Sequence, residues 1–220
     1  MGGGETQELA DVLNGTKNSL SSRRRSRFGG RFDSYKIKCE RTGGTWAAKY
    51  GQKVRHWDIA PPQEYFDELF RVSKNQIIWG GNYFSLPGTR CFLVWRKLTI
   101  SENFSIAMAE YAWTSFNENA KVFECAPQGT AKEKRIHPTQ KPVALYSWIL
   151  KNFAKKGDRI LDTHLGSGSS RIAAYEMGYD FVGCELDKDY FLLQEKRFKK
   201  WTSQKNLFEL DGGQVADLFL

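Results

Sequence analysis

Residues 157–187 read GDRILDTHLGSGSSRIAAYEMGYDFVGCELD. Two short apolar runs, 159–162 and 181–185, flank a turn of small residues at 163–168 and a helical stretch at 169–177 that Gly178 stops. This spacing predicts a strand, a turn, a helix and a second strand. After a parallel strand, small turn residues let a ligand approach the backbone where a side chain would collide with it. The helix that follows aims its first N–H groups at that ligand. Asp162 ends the first strand, Gly166 and Gly168 relax the turn, and Ser169 or Ser170 begins the helix. Glu185 ends the second strand, where a carboxylate accepts hydrogen bonds from ribose hydroxyls. A G-x-G turn by itself equally fits a tight connection that merely closes a β–α unit.

Two departures narrow the ligand class. Three residues after Gly168 stands Arg171, not the small residue of the dinucleotide fingerprint, and a large side chain there opposes close helix–strand packing. No G-K-[ST] follows the turn, as a triphosphate would require. Two acids and no lysine suit a cationic, adenosine-bearing cofactor, and S-adenosyl-L-methionine is one.

Working outward, residues 142 to about 155 predict a helix with Leu145, Trp148, Ile149 and Phe153 on one face and Gly157 as its stop. Residues 61–74 predict another, opened by proline, with Tyr65, Phe66, Leu69 and Phe70 on its apolar face. NQIIWGG, CFLVWRK, AMAEYAWTSF and AKVFECAP read as strands, and GGNYFSLPGTR as a loop with two exposed aromatics. A helix is expected over 188–200, and the tail after it is either a loosely docked helix or a frayed end. Strands alternating with helices predict an α/β fold with a mostly parallel sheet covered by helices on both faces. The expected organisation is a basic, loop-rich segment at 1–55, a main domain at 56–200 and a tail at 201–220.

The chain has 220 residues, enough for one sizeable domain, and 40% of them are hydrophobic. Its net charge of +8 points to a polyanionic partner, nucleic acid before membrane, although a basic surface also serves solubility. Cys39, Cys91, Cys125 and Cys184 stand singly, which argues against a zinc site or disulfide framework and for a reducing compartment. No apolar run approaches the roughly 18 residues that span a bilayer. An intracellular protein is expected.

Taken together, KVRHWDIAPPQEYFDELFRVSKNQIIWGGNYF, RCFLVWRK, AEYAWTSF, HPTQKPVALY and the stretch from residue 160 to 191 resemble the DNA amino-methyltransferases that modify adenine N6 or cytosine N4. The resemblance covers residues 27 to 198 and is closest to the short, site-specific forms of phages and prophages. It implies a Rossmann-like S-adenosylmethionine-dependent methyltransferase fold with permuted motif order, in which the cofactor motif follows the catalytic one. It implies that Asp162, Gly166, Gly168 and Glu185 line the cofactor pocket and that the segment from His137 to Pro142, with Thr139 and Lys141, closes one side, although by their own pattern these residues equally fit a turn before a helix opened by Pro142. Ser167 and His164 are further candidates in the cofactor turn, His164 standing where the family more often carries an aromatic. Double-stranded DNA is the implied partner, and the cytoplasm of a bacterial or phage-infected cell the implied location.

Methylating an exocyclic amine is difficult because its lone pair is delocalised into the ring. The enzyme must hold the amine against the sulfonium methyl and accept its hydrogen bonds. The family does this with Asp-Pro-Pro-Tyr, or Ser or Asn in place of Asp, while an aromatic stacks on the flipped base. WDIAPPQ at 57–63 does not match: Asp58 stands two residues too far from the prolines and Gln63 replaces the aromatic. The expectation is that Met1 lies just after the place of this tetrapeptide, so that the catalytic residues are unassigned. An inactive remnant that binds DNA or cofactor is the alternative. Asn82, Tyr83 and Phe84 are candidates for contact with the base, or are core aromatics at a glycine-rich turn. Arg23, Arg24, Arg25, Arg27 and Arg31, interleaved with Phe28 and Phe32, suit phosphate contacts.

Overall fold

The computed structural model describes residues 60–103, 107–127 and 135–214, without the side chains of 204–214. The basic arginines at 23–31, the Asp58 position and the whole segment at 1–55 therefore lie outside the described residues. Two units are present, the first running to Arg96 with Ile100–Val122, the second comprising Lys97–Thr99 and the chain from Phe123.

In the first unit, α1 (Gln63–Val72) follows Pro62, which caps it with an extended backbone (φ −72°, ψ 168°) rather than opening its first turn. Its expected apolar face is realised. Phe66 is buried and its ring meets Phe84 at 5.0 Å, while Phe70 sets its ring edge-on to Trp113 at 5.7 Å. The helix stops at Ser73, whose hydroxyl donates back to the Leu69 carbonyl at 2.6 Å.

All four expected strands form: β1 (Ile77–Trp79), β2 (Phe92–Arg96), β3 (Ala109–Thr114) and β4 (Lys121–Glu124), in the order β1-β3-β2-β4. β3 pairs antiparallel with both β1 and β2, so antiparallel pairs lie in this sheet and a parallel pair lies in the second unit. The period of two puts Cys91, Leu93 and Trp95 on one fully buried face. Burying each of the two larger side chains contributes on the order of 2 kcal/mol. Between β1 and β2 a single 3₁₀ turn spans Gly81–Tyr83, entered through Gly80 at φ 71° and tied to the sheet by Gly80 N–H donating to the Tyr111 carbonyl at 2.8 Å.

The second unit is built on β5 (Arg159–Asp162), α3 (Ser169–Glu176) and β6 (Asp180–Gly183), with α2 (Val143–Phe153) before and α4 (Lys188–Gln214) after. β5 and β6 are parallel, with Arg159 opposite Asp180 and Asp162 opposite Gly183. This is the expected α/β unit. Its core gathers Leu150 of α2 with Ala173 and Ala174 of α3, packed against Tyr146, Ile160 and Phe181.

α3 ends as its sequence predicts. Gly178 takes φ 72°, Tyr179 N–H reaches back to the Ala174 carbonyl at 2.9 Å and Gly178 N–H to that of Tyr175 at 3.2 Å, closing the last turn through a left-handed glycine. Gly157 plays a different part from the one expected. α2 stops four residues earlier at Phe153, and Gly157 (φ 90°) sits in a turn closed by the Asp158 carboxylate, which accepts the Lys155 N–H at 2.7 Å. Pro142 caps α2 rather than opening its first turn, because its ψ of 147° is extended. α4 runs fourteen residues beyond the expected end at 200, so the ambiguous tail is helical through Gln214.

Candidate functional site

The turn after β5 is held by two carboxylates, Asp162 at the end of β5 and Glu185 beyond the end of β6. Asp162 Oδ1 accepts the His164 N–H at 2.9 Å, and Oδ2 accepts the Ser170 hydroxyl at 2.5 Å. Glu185 lies two residues past the end of β6, not on the strand itself. There the chain leaves the ladder to follow the turn: Cys184 N–H donates to Asp162 O at 2.8 Å, and Leu165 N–H donates to Cys184 O at 3.0 Å. Glu185 Oε2 then accepts the Gly166 N–H at 2.8 Å and Oε1 the Asp187 N–H at 2.9 Å. Each oxygen has accepted one protein hydrogen and retains a second lone pair for a hydroxyl donor.

The two turn glycines are needed, and the reason differs from simple ligand clearance. Gly166 takes φ 52° and Gly168 φ 72°, the left-handed region that disfavours a side chain. A Cβ on Gly166 would stand 3.4 Å from the His137 ring, and one on Gly168 only 3.0 Å from Gln194 Oε1. Both directions therefore face protein, so the turn is packed from behind by residues distant in sequence. Arg171, expected to oppose close packing, reaches α4 instead. Its guanidinium stacks 3.9 Å over the Phe198 ring and bonds Glu195 and Gln194 of that helix.

The segment at 135–142 joins this site through His137. Its ring is buried, packs edge-on to Tyr190 at 4.3 Å, and accepts at Nδ1 from the Thr139 N–H at 3.3 Å. Since a backbone N–H can only donate, Nδ1 accepts and the neutral ring carries its proton on Nε2; the Thr139 hydroxyl stands 3.1 Å from the same nitrogen. Burial pushes His137 down to about 4, with Lys141 and Arg135 acting in the same direction against Asp187. Gln140 folds the segment shut by accepting the Ile136 N–H on its side chain at 2.9 Å and donating its own N–H to the His137 carbonyl at 3.2 Å.

Of the expected pocket residues, Asp162, Gly166, Ser167, Gly168, Glu185 and His137 come together around one turn. Thr139 bonds the His137 ring at Nδ1, and Lys141 acts on that ring through its charge. His164 is exposed, its Nδ1 3.1 Å from the Thr163 hydroxyl. Asn82, Tyr83 and Phe84 belong to the first unit. Tyr83 is 70% exposed on the 3₁₀ turn, whereas Phe84 is half-buried with its ring 5.0 Å from that of Phe66. Sequence reasoning missed Ser170, Gln194 and Arg197 as parts of this turn. Ser170 was legible from its place at the start of the helix that follows Asp162. The other two lie on α4, where no local signal marks them.

The family model described as DNA methylase (N6_N4_Mtase) matches residues 45–196, and the chain belongs to that family. Type II methyltransferase M2.MboI of Moraxella bovis is 25% identical over 143 residues, covering 64% of this chain and 47% of the relative. Type II methyltransferase M2.DpnII of Streptococcus pneumoniae is 40% identical over 63 residues, 29% of this chain and 24% of the relative. The chain thus spans between a quarter and a half of the length of these relatives. Among solved structures, the M1.HpyAVI–SAM complex is 28% identical with a TM-score of 0.37, covering 48% of this chain and 60% of the other. The putative DNA modification methylase TTHA0409 of Thermus thermophilus, complexed with S-adenosyl-L-methionine, is 22% identical with a TM-score of 0.33, covering 50% and 52%.

Proposed function

We propose that the second unit binds S-adenosyl-L-methionine, and that the enzyme transfers its methyl group to the exocyclic amine of adenine or cytosine in double-stranded DNA. Membership of the DNA methylase family supports the reaction class. The observation that carries the cofactor assignment is the pair of carboxylates, Asp162 and Glu185, fastened to one glycine turn. The donor set fits the group: acids suit a cationic ligand, and Glu185 keeps acceptor capacity for the two hydroxyls of a ribose.

When bound, the cofactor supplies an electrophilic methyl on a sulfonium. This chain's residues bind and orient it. Glu185 takes the sugar, Asp162 holds the start of the turn and adds negative charge, and the buried His137 closes one side as a neutral ring. His164, Ser167, Thr139 and Lys141 are assigned to the rim of the same pocket. The arginines at 23, 24, 25, 27 and 31 are assigned to DNA phosphates, and Tyr83 with Asn82 to the base. Residues 1–220 contain no Asp-, Ser- or Asn-Pro-Pro-aromatic tetrapeptide, so the group that accepts the amine's hydrogens is unassigned.

The test is methyl transfer from methyl-labelled cofactor to unmethylated duplex DNA, followed by nucleoside analysis. Label in N6-methyladenine or N4-methylcytosine is the expected result. Label in a ring-carbon-methylated base overturns the amine assignment.

A further inference from the structure

We infer that Arg197 of α4 is a positioning residue for the cofactor turn, holding it in its binding shape before any ligand arrives. The inference rests on the cofactor reading above. Arg197 lies one residue beyond the stretch matched to the family model.

The turn has no regular ladder of its own, and two of its residues are in left-handed conformations, so something must hold it. Arg197 Nη1 donates to the Ser167 carbonyl at 2.8 Å and to the Ser169 hydroxyl at 2.9 Å, thereby spanning Gly168. The Ser169 hydroxyl also lies 3.1 Å from that of Ser167, which closes a buried ring of polar groups around the glycine. One turn earlier on α4, the fully buried Gln194 fills the space where Gly168 lacks a Cβ. A charged donor on a buried carbonyl makes a strong bond, and losing it leaves the Ser167 carbonyl without that donor and the Ser169 hydroxyl with its Ser167 neighbour alone. Ser167 and Ser169 flank Gly168 in the proposed cofactor turn, so the shape of that turn depends on a helix residue 30 positions later in the chain than Ser167.

The single nitrogen that makes both bonds gives the test its control, because a lysine ammonium presents a comparable point donor. Arg197→Met and Arg197→Lys are compared with the native chain in two measurements. Hydrogen exchange of the 165–170 amides in the ligand-free protein reads the turn directly and needs no cofactor. Calorimetry with S-adenosyl-L-methionine reads the consequence. In Arg197→Met the turn amides are expected to exchange faster while those of β5 and β6 keep their protection, and affinity is expected to fall about tenfold. Arg197→Lys recovers a good part of both. Unchanged exchange at 165–170 in Arg197→Met overturns the inference, as does a uniform loss of protection throughout the unit. A native chain that binds no cofactor removes the cofactor reading, while the exchange result still decides whether Arg197 holds the turn.

Discussion

Glu185 and Gly166 are joined across 19 residues by a 2.8 Å hydrogen bond from the glycine N–H to the carboxylate, whose other oxygen accepts the Asp187 N–H at 2.9 Å. One side chain thus fixes the spacing between the two loops that follow β5 and β6. Glu185→Ala removes both acceptors, and the expected loss is about 1–3 kcal/mol of unfolding free energy. Glu185→Gln keeps one oxygen but turns an amide donor towards a backbone N–H, so it falls between. Urea unfolding of the ligand-free chain checks this, and an unshifted midpoint in Glu185→Ala contradicts it.

Gly168 and Gly178 share φ 72° but differ in surroundings. A Cβ on Gly178 would meet nothing within 4 Å, whereas one on Gly168 would meet Gln194 Oε1 at 3.0 Å and Gln194 Cβ at 3.2 Å. Gly178→Ala is expected to cost about 1–2 kcal/mol from backbone strain alone. Gly168→Ala adds an overlap with a buried side chain and is expected to cost about 2–4 kcal/mol. Equal costs in denaturant melts would show that α4 does not pack on the turn.

His137 gives the fold a pH dependence of definite sign. Its folded value of about 4 lies below the ordinary 6.5, so between those values the unfolded chain binds the proton and the folded chain does not. The stabilisation is complete above about pH 6.5 and is lost as pH falls towards 4, amounting to up to about 3 kcal/mol at 1.36 kcal/mol per unit. Lys141, Arg135 and Asp187 are the charged groups that act on the ring. Unfolding measured across this range is expected to show a slope that His137→Asn flattens. An identical slope in that variant contradicts the assignment.

In the first unit, a Cβ on Gly81 would lie 2.4 Å from Trp113 Cβ and 3.2 Å from its backbone nitrogen, whereas one on Gly88 would have open space. Gly81→Ala is expected to destabilise by about 3 kcal/mol, since backbone cannot yield as a flexible side chain does. Gly88→Ala is expected to be near neutral. Thermal melts of the two variants decide it.

The elements of the β5–α3–β6 unit were legible because each signal is local: apolar runs of strand length, a small-residue turn, and a glycine at the helix stop. Asp162 and Glu185 were legible as a pair for the same reason. What holds them was not. Gln194 and Arg197 reach the turn from 26 to 30 residues away, and neither helical period nor composition distinguishes them from other polar residues of α4. The strand order β1-β3-β2-β4 was also hidden, because alternation of side chains specifies which face is buried but not which strand is the neighbour. Gly157 misled for a related reason. Its left-handed turn is closed by Asp158, and a glycine after an apolar stretch looks the same whether it ends the helix or sits four residues past it.

Equilibrium binding of S-adenosyl-L-methionine to the purified chain, measured by titration calorimetry, tests the central claim most directly. The predicted result is a single saturable site with a dissociation constant below about 1 mM, weakened at least about tenfold when Asp162 and Glu185 are both changed to alanine. A folded chain that takes up no ligand at that concentration, or a double variant that binds as the native chain does, contradicts it.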